Sequence, residues 1–399
     1  MKLAIITAFP PSKVTLNEYG YHLVKNFATN NEVTEIVLLT DADVPTNSID
    51  IDQSSCKLTI RKCWEFNSYT NVFDIMKVIN ETQPDSILFN LQFMKFGDKK
   101  VPAALGLIAP LLCKLKKIPT IVLLHNILEQ VDLESAGFTS NILLNKAYNF
   151  IGSMLTRVLL KADLVAVTME KYITILKEKY NANNVVLIPH GTFELASEFV
   201  QKPIAKEPMQ IMTFGKFGTY KKVEPMIDAV IRVRTKLGIP LEVVVAGTDN
   251  PNVPGYLEGV KLKYKDIPNI RFTGYVEEED VPKIFNDAAM VVFPYTSTTG
   301  SSGVLHQAGS YAKAVIMPDL GDLALLVKDE GYLGEFFEPE DVQSLANAIE
   351  KLVIDEAYRN EMGLTNYKAA HAFPMNKITD MYIEHFKQIS ILNSDLQYI

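Results

Sequence analysis

Residues 290–318 read MVVFPYTSTTGSSGVLHQAGSYAKAVIMP. Met290–Tyr295 is a short apolar run of strand character. Small hydroxyl residues and glycines follow over Thr296–Gly303, then a helical pattern over Gly303–Tyr311, then a second apolar run, Ala314–Pro318. Near-continuous hydrophobic strands joined through a helix imply parallel pairing in a sheet covered on both faces. The junction at Thr299, Gly300, Ser301, Ser302 and Gly303 sets hydroxyls and backbone N–H groups at a helix start. Such a junction can donate many hydrogen bonds to a diphosphate or to sugar hydroxyls. No G-x-x-x-x-G-K-[ST] run occurs in this segment, so a nucleotide triphosphatase loop is excluded here.

The same alternation extends in both directions. Towards the N-terminus of this half, strand patterns occupy Gln210–Gly215, Leu241–Gly247 and Ile270–Tyr275, with helical patterns at Val223–Leu237 and Val281–Ala288. Beyond it, Asp341–Val353, Ala357–Ala372 and Asn376–Leu392 read as helices, and Pro374 marks the start of the last. The first half repeats the scheme. Strands are expected at Leu3–Ala8, Glu35–Thr40, Lys57–Arg61, Ser86–Leu91, Thr120–His125, Leu164–Thr168 and Val185–Pro189. Helices are expected at Asn17–Phe27, Val72–Ile79, Ala103–Leu115, Asn141–Leu160 and Glu170–Lys179. Between the halves, Glu194–Pro208 has weak periodicity and two prolines, and reads as a linker. The expected fold is α/β, two Rossmann-like domains facing each other across a cleft, with ligands beyond the carboxyl ends of the strands.

Bulk properties narrow the function. The 399 residues suit two domains of roughly 190 residues each. A net charge of −8 speaks against nucleic acid as a partner, since phosphate neutralisation needs surplus Lys and Arg. Three cysteines, Cys56, Cys63 and Cys113, offer neither a disulfide framework nor a zinc site. Leu3–Thr7 is too short for a signal-peptide core and reads as a first strand, and no apolar stretch approaches the length of a membrane span. A cytoplasmic protein is expected. Asn141–Lys161 has two readings: a helix covering the first sheet, favoured by its modest basicity, or one in weak peripheral contact with a membrane.

A second junction carries charge. Gly215-Lys216-Phe217-Gly218-Thr219-Tyr220-Lys221-Lys222 follows a strand and precedes a helix. Two glycines and three lysines there can form an anion site, although surface lysines in a solvated turn would look the same.

With these segments in view, the chain resembles the retaining GT-B glycosyltransferases of family 4, the group 1 proteins. The family's G-R-L-x-x-x-K-G segment is similar to Gly215–Lys222, which implies that Lys216 and Lys221 face the donor diphosphate. Val243–Gly247 is similar to the family's strand ending in glycine, and the adjoining Thr248 is counted with the donor-binding residues. Phe272-Thr273-Gly274-Tyr275-Val276 is similar to the segment whose last residues, here Tyr275 and Val276, contact the nucleobase. Leu123-Leu124-His125-Asn126 resembles the strand whose terminal histidine approaches the donor sugar; Ala162–Thr168 and Ile188-Pro189-His190-Gly191 also resemble family segments.

The resemblance departs at the paired glutamates of E-G-F-G-x-x-x-x-E, where this chain has Thr299 and Gln307. Gln307 can still hydrogen-bond a ribose diol, but Thr299 cannot supply a carboxylate. The later G-G-x-P-E segment becomes Gly321-Asp322-Leu323-Ala324-Leu325, which reads as the loss of another acid. The resemblance implies an N-terminal domain over 1–195, a nucleotide-sugar-binding domain over 206–373, and a helix over 374–399 returning to the first. It implies sugar transfer from a nucleoside diphosphate sugar to a hydroxyl acceptor, with no cofactor and no metal. A catalytically degenerate nucleotide-binding protein, or a sugar phosphorylase or epimerase of the same fold, are the alternatives.

Overall fold

The computed structural model describes residues 1–44, 55–127, 142–193, 195, 208–298 and 300–395. Most of the expected linker, and Thr299, lie outside the described residues. The chain forms two compact units, Met1–His190 with Met375–Ile399, and Gly191–Pro374.

The first unit runs β1 (Lys2–Ile6), α1 (Asn17–Ala28), β2 (Glu35–Thr40), β3 (Lys57–Lys62), α2 (Asn71–Thr82) and β4 (Ser86–Leu91). It continues through α3 (Lys100–Gly106), α4 (Ala109–Leu115), β5 (Thr120–Leu124), α5 (Ile142–Leu159), β6 (Leu164–Val167), α6 (Glu170–Tyr180) and β7 (Val185–Leu187). Its strands order as β3-β2-β1-β4-β5-β6-β7, all parallel. Strands β4 and β5 are buried at every position, as aliphatic runs covered on both faces must be. Edge strand β3 instead exposes Lys57 and Lys62, charges that discourage further strand pairing.

One expected helix is two. The pattern over Ala103–Leu115 breaks between α3 and α4 because Pro110 has no N–H and its ring would press on the Gly106 carbonyl one turn earlier. On α5, Phe150, Ile151 and Met154 are exposed, and no helix among the described residues is long and apolar enough to cross a membrane.

The second unit runs β8 (Met209–Phe217), α7 (Glu224–Leu237), β9 (Leu241–Asp249), α8 (Tyr256–Lys263), β10 (Ile270–Gly274), α9 (Val281–Asp287) and β11 (Ala288–Val292). Then come α10 (Gly303–Ser310), β12 (Ala314–Pro318), α11 (Gly321–Asp329), β13 (Glu335–Phe337), α12 (Val342–Ile354) and α13 (Glu356–Ala372). Its parallel sheet orders as β10-β9-β8-β11-β12-β13. A core of Ile211, Val243, Val245, Val292 and Ile316 from the strands meets Ile227, Val230, Ile349 and Leu352 from α7 and α12. Elements α8, α11 and β13 were not expected from the hydrophobic pattern. The last helix, α14 (Met375–Asp395), belongs to the first unit and lies against α1. Phe27 and Tyr382 pack with ring centres 6.1 Å apart, and Asn30 donates to Asp380 at 2.7 Å.

Each sheet reverses its strand order once, between β1 and β4 in the first unit and between β8 and β11 in the second. Such switch points open a crevice at the carboxyl ends of the strands, where ligands of open α/β sheets bind.

Near the first switch point lies a fully buried amine. Lys95 donates to the Thr15 carbonyl at 2.8 Å and sits 5.7 Å from the centre of the Trp64 ring. Burial pulls it down to about 7, opposed by the negative charge of Asp41. Between that value and the ordinary lysine value of 10.5, the unfolded chain holds a proton that the folded chain has released. Stability attributable to this site therefore rises with pH through the window, by at most ~1.4 kcal/mol per pH unit. Thermal midpoints of the wild type and Lys95→Met are expected to converge or cross in the wild type's favour between pH 7 and pH 10. A difference independent of pH would contradict the buried amine.

Candidate functional site

The second switch point is built around two glycines. Gly215 and Gly247 are register partners on β8 and β9, with φ of 137° and 134°. A Cβ on Gly247 would lie 1.9 Å from the Gly215 carbonyl oxygen, so only glycine permits this approach. A Cβ on Gly215 would lie 2.9 Å from Lys221 Nζ, because the lysine folds back over the strand end.

Short-range pairing fixes that fold-back. Gly218 N donates to the Lys221 carbonyl at 3.0 Å, Lys222 N to the Pro294 carbonyl at 3.0 Å, and Thr296 N to the Tyr220 carbonyl at 2.8 Å. Lys221 and Tyr295 thereby form an isolated antiparallel bridge. The Lys221 amine sits 4.6 Å from the centre of the buried Tyr295 ring and 5.8 Å from that of Tyr220. These faces favour a cation, yet burial still lowers the amine below its ordinary value, with Tyr220 opposing. An amine held short of water in this way gains most from an anionic ligand. Lys216 is exposed on β8, in register with Thr248 on β9.

The hydroxyl-rich loop meets this turn. Gly300, with φ of 76°, donates its N–H to Asp322 Oδ2 at 2.9 Å, and Asp322 is buried on the first turn of α11. The Thr298 hydroxyl donates to the Leu320 carbonyl at 3.1 Å and accepts from Leu323 N at 3.3 Å, tying the same loop to the same helix start. Ser302 caps α10, accepting from Leu305 N at 3.4 Å. Ser301 Oγ is buried without a hydrogen-bond partner among the described residues, a donor and acceptor left for something else to satisfy. Gly303 and Gln307 lie on the first and second turns of α10.

The structure thus brings together, in one unit, Gly215, Lys216, Lys221, Thr248, Gly300, Ser301, Ser302 and Gly303, with Gln307 on the adjoining helix. Tyr275 is 71% exposed directly after β10, and Val276 is half-buried. Within segment 321–325, whose last residue is Leu325, Asp322 supplies the carboxylate that fixes Gly300. Also missed were Tyr220 and Tyr295. Their signal was an aromatic residue inside Gly215–Lys222 and another at the end of Met290–Tyr295.

His125 lies in the first unit, at the carboxyl end of β5. It is 8% exposed, and its Nε2 is 2.7 Å from Asn90 Oδ1. Asn90 Nδ2 donates to Thr7 Oγ1 at 2.9 Å, and the Thr7 hydroxyl donates to the Ala8 carbonyl at 2.9 Å. Tyr19 of α1 sets its ring edge-on to His125 at 4.4 Å and to His190 at 4.8 Å, and donates its hydroxyl to the His190 carbonyl at 3.0 Å. Burial holds His125 well below the ordinary histidine value, with the positive charges of His190 and Lys95 adding to it. Asn90, Tyr19 and Lys95 were not singled out from the sequence, although a polar residue inside the buried strand Ser86–Leu91 is a visible signal.

The family Glycosyl transferases group 1 matches residues 208–355. No curated protein matches the chain by sequence. Among solved structures, HepE of Anabaena in complex with UDP-glucose has a TM-score of 0.71 at 14% identity, covering 97% of this chain and 100% of that one. Sucrose-phosphate synthase of Thermosynechococcus elongatus has a TM-score of 0.72 at 16% identity, covering 98% and 100%. WaaG, a glycosyltransferase involved in lipopolysaccharide biosynthesis, has a TM-score of 0.66 at 13% identity, covering 96% and 98%. At such identities the likeness is one of fold, and it extends along both units. Residues 208–355 thus resemble the glycosyl transferases of group 1, and along its whole length the chain shares the two-unit GT-B fold of these solved structures.

Proposed function

We propose that the protein transfers a hexosyl group, with retention at the anomeric carbon, from a nucleoside diphosphate sugar to a hydroxyl acceptor. The observation that carries this reading is the Lys221 amine, held over Gly215 and close to two tyrosine rings at the second switch point. A desolvated cation beside backbone N–H groups at the start of α10 suits a diphosphate. Lys216 adds a second, exposed charge. Together they stabilise the negative charge that develops on the leaving diphosphate, and no resident metal or cofactor is part of the proposal.

Ser301, whose hydroxyl lacks a partner among the described residues, and Ser302 are assigned to the sugar and phosphates. Gln307 is assigned to the ribose, and Thr248, Tyr275 and Val276 to the nucleoside. His125 is assigned a hydroxyl of the transferred sugar. Anabaena HepE has been solved in complex with UDP-glucose, with UDP, and with UDP and glucose, which makes uridine diphosphate the first nucleotide to test.

The test is kinetic. Lys221→Ala is expected to lower kcat/KM for the donor by ~100-fold or more, in the range found when one transition-state electrostatic partner is removed. Lys216→Ala, exposed and less desolvated, is expected to cost less. Unchanged kcat/KM in the double variant would overturn the assignment. Asp322→Ala frees the Gly300 N–H and is expected to weaken nucleotide affinity by about ten-fold, the worth of roughly one charge-assisted hydrogen bond.

A further inference from the structure

Thr7, Asn90 and His125 lie at the carboxyl ends of three neighbouring strands, β1, β4 and β5. Counting protons along this row leaves one arrangement. The Thr7 hydroxyl has a single proton, and it goes to the Ala8 carbonyl. Towards Asn90 the hydroxyl can therefore only accept, so the amide must turn its NH2 to Thr7 and its oxygen to His125. An amide oxygen only accepts, so the imidazole nitrogen facing it must carry a proton.

We infer that Thr7 and Asn90 are positioning residues that lock His125 as the Nε2–H tautomer and leave Nδ1 as a bare acceptor for a sugar hydroxyl. The sugar-facing part rests on the function proposed above; the tautomer does not. Nδ1 has no hydrogen-bond partner among the described residues. The groups around the ring disfavour its protonated form, Lys95 by its charge, His190 by charge and contact, and Tyr19 by contact. Lys95 follows β4, His190 follows β7 with its ring centre 5.9 Å away, and Tyr19 on α1 meets the ring edge-on. Both nearby ionisable nitrogen groups repel an imidazolium, and an uncharged amide partner does nothing to attract one.

A neutral acceptor differs in consequence from a protonated histidine. It selects a ligand hydroxyl that donates, and it cannot share in stabilising a developing oxyanion. His125 then serves recognition and orientation of the sugar rather than charge stabilisation.

The experiment is nitrogen-15 NMR of protein labelled at histidine, with the His125 signals assigned by their loss in His125→Asn. The expected spectrum shows a protonated Nε2 and an unprotonated Nδ1 that stays so from pH 6 to pH 8. A protonated Nδ1, or an imidazolium in this range, overturns the inference without reference to any donor. In Asn90→Ala, or in Thr7→Val if that variant folds poorly, the signals are expected to move towards a mixture of tautomers. Transfer is then expected to lose about ten-fold in kcat, with nucleotide affinity unchanged. Asn90→Asp is expected to raise the imidazole's affinity for a proton and to give kcat a new dependence, rising with pH as that proton leaves.

Unaltered signals in both Asn90→Ala and Thr7→Val would overturn the lock. An altered tautomer with unaltered kcat would overturn the sugar-facing role. Failure of the glycosyltransferase reading would show separately, as absence of nucleotide binding in the wild type.

Discussion

Two parallel sheets covered on both faces leave almost nowhere for polar chemistry except the ends of their strands. Strands β4, β5, β11 and β12 are buried along their whole length, so a charged or amide side chain within them must find a partner. The carboxyl ends offer the nearest exit. The candidate residues gather there in each unit, and the point where strand order reverses decides which ends they occupy. The Gly215–Gly247 approach, Lys221 and the Thr296–Gly303 loop all follow from that position in the second sheet.

The two edges differ in electrostatic character. In the second unit a lysine amine is held near aromatic faces and backbone donors, an arrangement that gains from a multiply charged ligand. In the first unit the group at the strand end is a buried imidazole, held well below its ordinary value by burial and by repulsion from His190 and Lys95, and tethered to an amide.

Much of this was legible in the sequence because it depends on local pattern. Continuous aliphatic runs such as Ala314–Pro318 announce buried strands, and the glycine and lysine spacing of Gly215–Lys222 announces a loop for anions. Legibility fails where a partner is chosen by topology. Asp322 meets Gly300 only because α11 follows β12 in the sheet order, and Asn90 meets Thr7 only because β4 pairs with β1 across 83 residues. Short elements were missed for another reason: β13 has three residues and α11 nine, too few for a period to stand out. The split between α3 and α4 was readable, since Pro110 sits within the run that was read as one helix.

The central claim is that the carboxyl edge of the second sheet is a nucleoside diphosphate site. It is tested most directly by thermal unfolding of the wild-type protein with UDP, GDP, ADP, CMP and dTDP, each at high concentration. A ligand at a hundred times its Kd contributes about 2.7 kcal/mol of stability, so a clear rise in the unfolding midpoint with one nucleotide is predicted, and its loss in Lys221→Ala. No rise with any of the five would contradict the account.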